Sequence, residues 1–179
     1  PPEASPTPLA ASPTPTEGAA IYRNEDYGFE IRLPEEVVPG MTCPTQGVVD
    51  DPVNTFRLTG TRYYSGTNLL DACMTVGVDP GEGARATCVC PRDEQEECLG
   101  QEEINGIPFV KVGRGGVATG HIYEVITYRT TNAGACYELT LFLHYANMGV
   151  YEPGTITEFD EETLRRQLTG MIQSFRFLP

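Results

Sequence analysis

Along most of this chain apolar residues fall on every second position, the period of a strand with one buried face. "AIYRNEDYGFEIRLP" predicts two short strands about a turn at Asn24–Gly28, with Tyr27, Phe29, Ile31 and Leu33 on alternate positions and Pro34 ending the second. "NTFRLTG" predicts a strand with Phe56 and Leu58 on one face, and "LLDACMTVGVDP" another that Pro80-Gly81 closes. Residues 81–103 carry no apolar period and are expected to form a loop around cysteines. "EEINGIPFVKVGRGG" contains Asn105-Gly106, a pair that accepts positive φ at both turn positions and so predicts a hairpin. "GHIYEVITYRTTNAGACYELTLFLHYANMG" predicts a longer hairpin about Asn132–Gly134. Its return strand places Tyr137, Leu139, Leu141, Leu143 and Tyr145 on one face, which should be core.

The period changes once. Leu164, Leu168, Met171, Ile172 and Phe175 recur at helical spacing behind Asp160, a candidate N-cap, and Glu161 and Glu162 suit the first turn of a helix. "SFRFLP" returns to extended structure. Several antiparallel strands with a C-terminal helix packed on them give the α+β class.

The first twenty residues, "PPEASPTPLAASPTPTEGAA", have too little apolar surface to order themselves, and are expected to be a Pro/Ser/Thr-rich linker or tether before one domain at 21–179. Extended, such a spacer reaches about 60 Å at about 3.1 Å per residue. A chain opening inside a spacer is expected to follow a removed signal or lipid-attachment segment. No apolar run is long enough for a membrane-spanning helix, so a membrane enters only through that removed N-terminal anchor. A net charge of -13 repels phosphate backbones, so nucleic acid is not expected as a partner. Six cysteines point to an oxidising compartment and to an extracytoplasmic, lipid-anchored or secreted protein of the cell envelope.

Several segments together resemble PsbP-like domains. "YRNEDYGFEIRLPEE" resembles their opening, with an aromatic residue, a "GF" strand and a proline-terminated edge. "INGIPFVKV", "YEVITYRTTNAGACYELTLFLHY" and the helix ending in "IQSFRF" resemble small bacterial exported lipoproteins of the same fold. The resemblance implies an α/β/α sandwich, an antiparallel sheet with helices on its two faces. It implies an accessory or binding module, and supplies no site residues.

"CVCPRDEQEEC" holds Cys88, Cys90 and Cys98. A structural zinc site wants two close pairs of ligands, and C-x-C with no second pair does not provide them. A redox site wants C-x-x-C at a helix N-terminus, whereas Pro91 and neighbouring carboxylates surround these thiols. Three disulfides among Cys43, Cys73, Cys88, Cys90, Cys98 and Cys136 fit better. The sequence leaves fifteen pairings open; a Cys90–Cys98 bridge would close a short loop, and a long-range bridge from Cys43 or Cys73 to Cys136 would stabilise more. Asp79, Glu82, Asp93, Glu94, Glu96 and Glu97 lack the spacing of a calcium loop and are expected to be a solvated acidic surface. No metal and no cofactor are expected.

Ser65 in "YYSGT" does not sit in a nucleophile elbow. If the second hairpin pairs symmetrically about its turn, His144, Glu124, Tyr128, Glu138 and Thr140 share the face opposite the leucines. That face is either a polar sheet surface or an acid–base cluster. Tyr63, Tyr64, Tyr145, Met148 and Tyr151 are either loop anchors for a partner or half-buried packing. The reading is a non-catalytic binding or accessory domain whose partner is a protein or small ligand at the cell surface. Its candidate binding residues are Tyr63, Tyr64, His144, Glu124 and Tyr151. The alternative is a small hydrolase using the His144/Glu124 face.

Overall fold

A computed structural model describes residues 19–43, 52–81, 83 and 88–179. Among these residues two antiparallel sheets share one hydrophobic core. The smaller has the order β1-β2-β10, with β1 at Ala20–Asn24, β2 at Phe29–Leu33 and β10 at Arg176–Phe177. The larger has the order β3-β4-β5-β9-β8-β7-β6. Its strands are β3 Val37–Pro39, β4 Asn54–Leu58, β5 Leu69–Asp79, β6 Glu97–Ile104, β7 Ile107–Ala118, β8 His121–Asn132 and β9 Ala135–Ala146. Two helices are described, a single turn α1 at Thr61–Tyr64 and the longer α2 at Glu161–Gln173.

Alternation along β4, β5 and β9 puts Phe56, Leu58, Ala72, Met74, Val76, Leu139, Leu141 and Leu143 on one face of the large sheet, all buried. Helix α2 and the small sheet cover that face. Leu164, Leu168, Met171 and Ile172 form the buried stripe of α2, and Phe175 just beyond it packs between Phe29 and Phe109. Asp160 caps the helix by accepting from Thr163 N at 3.0 Å. Its far end is tied to the β6–β7 turn, where Asn105 Nδ2 donates to the carbonyls of Gln173 and Phe175. In that turn Asn105 and Gly106 take positive φ, 51° and 78°, as the dipeptide implied.

The opposite face carries, among the described residues, the segment 88–96. Cys88–Cys136 pins it to β9, Cys90–Cys98 closes it against the start of β6, and Cys43–Cys73 fastens the chain after β3 to β5. Of the fifteen pairings left open, the fold selects this one: the short-loop bridge forms, Cys136 pairs with Cys88 because the segment runs across the sheet above β9, and Cys43 and Cys73 pair with each other rather than with Cys136.

A correction concerns residues 97–103, which are strand and not loop. β6 is an edge strand, nearly every residue of it is exposed, and an edge with no buried face has no apolar period to read. The short edge strand β3 and the single turn α1 were missed for want of length. Residues 1–18, most of the expected tether, and Glu82 lie outside the described residues.

Candidate functional site

Register decides which polar groups meet. In the β8–β9 hairpin Asn132 pairs with Ala135, so Ala133 and Gly134 alone form the turn. This is one residue off a pairing centred on Ala133, and a one-residue slip exchanges the faces. Glu124 therefore pairs with Leu143, and Tyr128 with Leu139, on the helix-covered face, while His144 pairs with Tyr123 on the other. The expected His144/Glu124 pair does not form. Thr140 and Glu138 do share the face of His144.

What His144 meets instead is a polar line across four neighbouring strands. Arg57 on β4 donates to Asp71 Oδ1 on β5; Asp71 Oδ2 lies 3.3 Å from His144 Nδ1 on β9; and His144 Nε2 lies 2.8 Å from His121 Nδ1 on β8. The Tyr123 ring stacks on His144, with centroids 4.4 Å apart and planes within 11°. The His144 and Asp71 side chains each retain 15% of their accessible surface, so the line is sheltered but reachable. Asp71 was not singled out from the sequence. It is the one charged residue inside the apolar run "LLDACMTV", and that was the available signal.

Further along the same face, the acidic segment is engaged with the sheet. Arg129, only 3% exposed, binds Glu96 through two nitrogens, donates to the Val89 carbonyl at 2.8 Å, and faces its cross-strand partner Glu138. Arg92 binds Glu138 and Arg114 binds Asp93. The expectation of a solvated acidic surface is corrected for Glu96, whose carboxylate Arg129 encloses only in the fold, while Asp93 stays exposed beside Arg114. The hydrogen bond from Arg129 holds the Glu96 carboxyl below its ordinary value despite burial.

On the helix-covered face α2 stands off the sheet and leaves a cleft of about 250 Å³. Ile126, Leu141, Leu143 and Leu168 make its apolar walls, with the Tyr128 ring and Thr169 beside them. Two ion pairs border it, Lys111 with Glu102 at 3.5 Å and Arg165 with Glu124. Lys111 also lies over the Tyr128 ring, 5.1 Å from its centroid. Burial opposes ionisation of Glu124, but the Tyr145 hydroxyl and Arg165 outweigh it and hold its carboxyl low. Burial and that hydrogen bond push the Tyr145 hydroxyl up to about 12. Of the polar cleft residues Glu124 and Tyr128 were singled out from the sequence, both for the face of His144. Lys111, the sole lysine, was a signal left unused.

The tyrosine anchors divide. Tyr63 is buried, its hydroxyl donating to Gln167 Oε1 at 2.6 Å, and the Tyr64 hydroxyl donates to the Leu58 carbonyl at 2.8 Å. Both pack α1 onto the domain, and neither projects as an anchor, because α1 turns their rings inward. Tyr151 is half-buried after a 3₁₀ turn at Met148–Val150.

No family model and no curated protein matches the chain. Among solved structures, a point mutant of Mog1 superposes with a TM-score of 0.51 at 7% identity, over 90% of this chain and 96% of Mog1. The chain shares its fold with Mog1. A protein from Bacteroides thetaiotaomicron VPI-5482 also gives 0.51, at 8% identity and over 89% of this chain. This chain spans 48% of that protein's length. The cyanobacterial PsbP, CyanoP, from Synechocystis sp. PCC 6803 is a further neighbour, with a TM-score of 0.45, 13% identity and coverage of 94% and 97%. At such identities the likeness is one of fold alone.

Proposed function

We propose that this chain is an extracytoplasmic, non-catalytic binding or accessory domain, held from a membrane by its Pro/Ser/Thr-rich N-terminal tether. We place its ligand site in the cleft between α2 and strands β7–β9. The observation that carries this reading is the cleft itself: apolar walls inside a ring of opposed charges, open beside a helix. A volume of about 250 Å³ exceeds the roughly 150 Å³ that admits a benzene ring in an apolar cavity, so a one- or two-ring amphipathic molecule fits. The three disulfides, which use all six cysteines, support an oxidising compartment.

The hydrolase alternative rested on His144 acting with Glu124, and those side chains lie on opposite faces of one sheet. The proposed role is tested with the amphipathic dye 1-anilinonaphthalene-8-sulfonate. The wild-type protein should bind one equivalent saturably, with enhanced fluorescence. Thr169→Trp, which places an indole at the cleft, should weaken binding about tenfold or more, the effect expected from roughly 1.4 kcal/mol of lost contact. Equal binding in the variant, or no saturable binding at all, overturns the cleft as the site.

A further inference from the structure

The small sheet turns one face to the core and the other outward. Register puts Ile21 and Arg23 of β1, Glu30 and Arg32 of β2, and Arg176 of β10 on the outer face. Arg23 and Arg176 close over Glu30 from the two flanking strands, so that its side chain keeps 5% of its surface while theirs keep 59% and 60%. Arg23 Nε donates to Glu30 Oε2 at 2.8 Å, and Arg176 binds Oε1. Arg32 is exposed and has no carboxylate partner among the described residues. Ser174 Oγ accepts from its backbone N at 2.8 Å, and its side chain borders a polar recess of about 130 Å³ shared with Ile21, Asn105 and Arg176.

We propose that this face is a docking surface for an acidic, extended segment of a partner protein. Charge is the first reason. On a chain of net charge -13, three arginines here answer one glutamate, which leaves Arg32 to pair with a carboxylate from outside. The second is the edge. β1 pairs with β2 on one side and with no described strand on the other. Its inward residues Tyr22 and Asn24 are already bonded to Asn54 on β4, so the strand is anchored in place.

An extended chain uses both features at once. Added to the free edge of β1, it would set alternate side chains on the outer face, beside Ile21 and Arg23. Ile21 is 53% exposed, so a glutamate beside it lays its apolar stem on that side chain and turns its carboxylate toward Arg32. A second glutamate, two residues along, meets Arg23. The charge of the whole chain repels an extended polyanion such as an anionic membrane. A short acidic segment meets the local patch, within the screening length of about 8 Å at physiological salt.

The test titrates the disulfide-intact full chain with a short blocked peptide of alternating glutamate and threonine, followed by amide nitrogen–proton spectra. Shifts should centre on Ile21, Arg23, Arg32 and Arg176, and added salt should weaken binding. Arg32→Gln should weaken it about two- to fivefold, the range of one exposed charge pair, and Arg32→Glu further. The same peptide with lysine for glutamate should not bind. Shifts centred elsewhere, unchanged affinity in both Arg32 variants, or equal binding of the lysine peptide overturns the docking surface. Equal shifts with inorganic phosphate or with anionic phospholipid vesicles also overturn it, since the patch would then take any anion without an added strand. The mapping uses the wild-type protein, so it does not depend on how a variant folds.

Discussion

Asp71 on β5 and His144 on β9 are direct cross-strand partners, and the Asp71 Oδ2 stands 3.3 Å from the His144 Nδ1. The contact orients a hydrogen bond in which His144 Nδ1 donates to the carboxylate, with Nε2 accepting from His121 Nδ1. Long-range nitrogen–proton correlation spectra report the tautomer directly. Asp71→Asn should lose the preference, and an Nε2–H tautomer in the wild-type protein contradicts the arrangement.

Arg129 is the most enclosed charge on the loop side, and its carboxylate partners Glu96 and Glu138 are nearly as sheltered. Removing one member of a buried ion pair leaves the others desolvated and unpaired, at a cost of about 3 kcal/mol. Arg129→Met should lower unfolding free energy in urea by that amount. A loss below about 1 kcal/mol means that segment 88–96 does not depend on Arg129 for its place on the sheet.

The disulfides should differ in weight because their loops differ in length. The Cys90–Cys98 bridge spans 8 residues of sequence separation and the Cys88–Cys136 bridge spans 48. Chain-entropy reasoning gives about 2.5 and about 4 kcal/mol respectively. Double serine variants compared by urea melts should fall in that order, and peptide mapping of the unreduced protein should recover these two pairs with Cys43–Cys73.

Glu96 and Glu124 both have carboxyls held below their ordinary value in the fold. Protons thus bind the unfolded chain more readily than the folded one in the acid range. The stability these groups contribute is complete above the ordinary carboxylate value of 4.5 and is lost as pH falls through their lowered folded values. Urea melts at several pH values between about 7 and 3 should show a steepening loss below about 4.5. Glu96→Gln should flatten that slope while starting from a lower stability at neutral pH. An unchanged slope rules Glu96 out as a contributor.

Legibility from sequence followed burial. β2, β4, β5, β9 and α2 each bury one face against a shared core, so the periods of Phe29-Ile31-Leu33, Phe56-Leu58, Leu139-Leu141-Leu143 and Leu164-Leu168 announced them. β6 buries almost nothing, so it went unread. In the candidate site, His144 was legible as a lone imidazole in an apolar strand, but its partners were not. Asp71 lies 73 residues away in sequence from His144, and no spacing rule reaches that far.

By itself the sequence determined the strand-rich class, the two hairpins with their turn residues, the capped C-terminal helix and the use of cysteines as staples. These follow from local dihedral preference and from the period with which apolar side chains must repeat to reach one core. Only the tertiary structure decided which cysteine meets which, that Arg129 neutralises Glu96, and that Glu124 borders the cleft while His144 faces Asp71 and His121. The physical reason is register. In a sheet the side chains alternate, so one residue of slip in a turn sends every polar group to the other face, and the Ala133-Gly134 turn settled that by a single position.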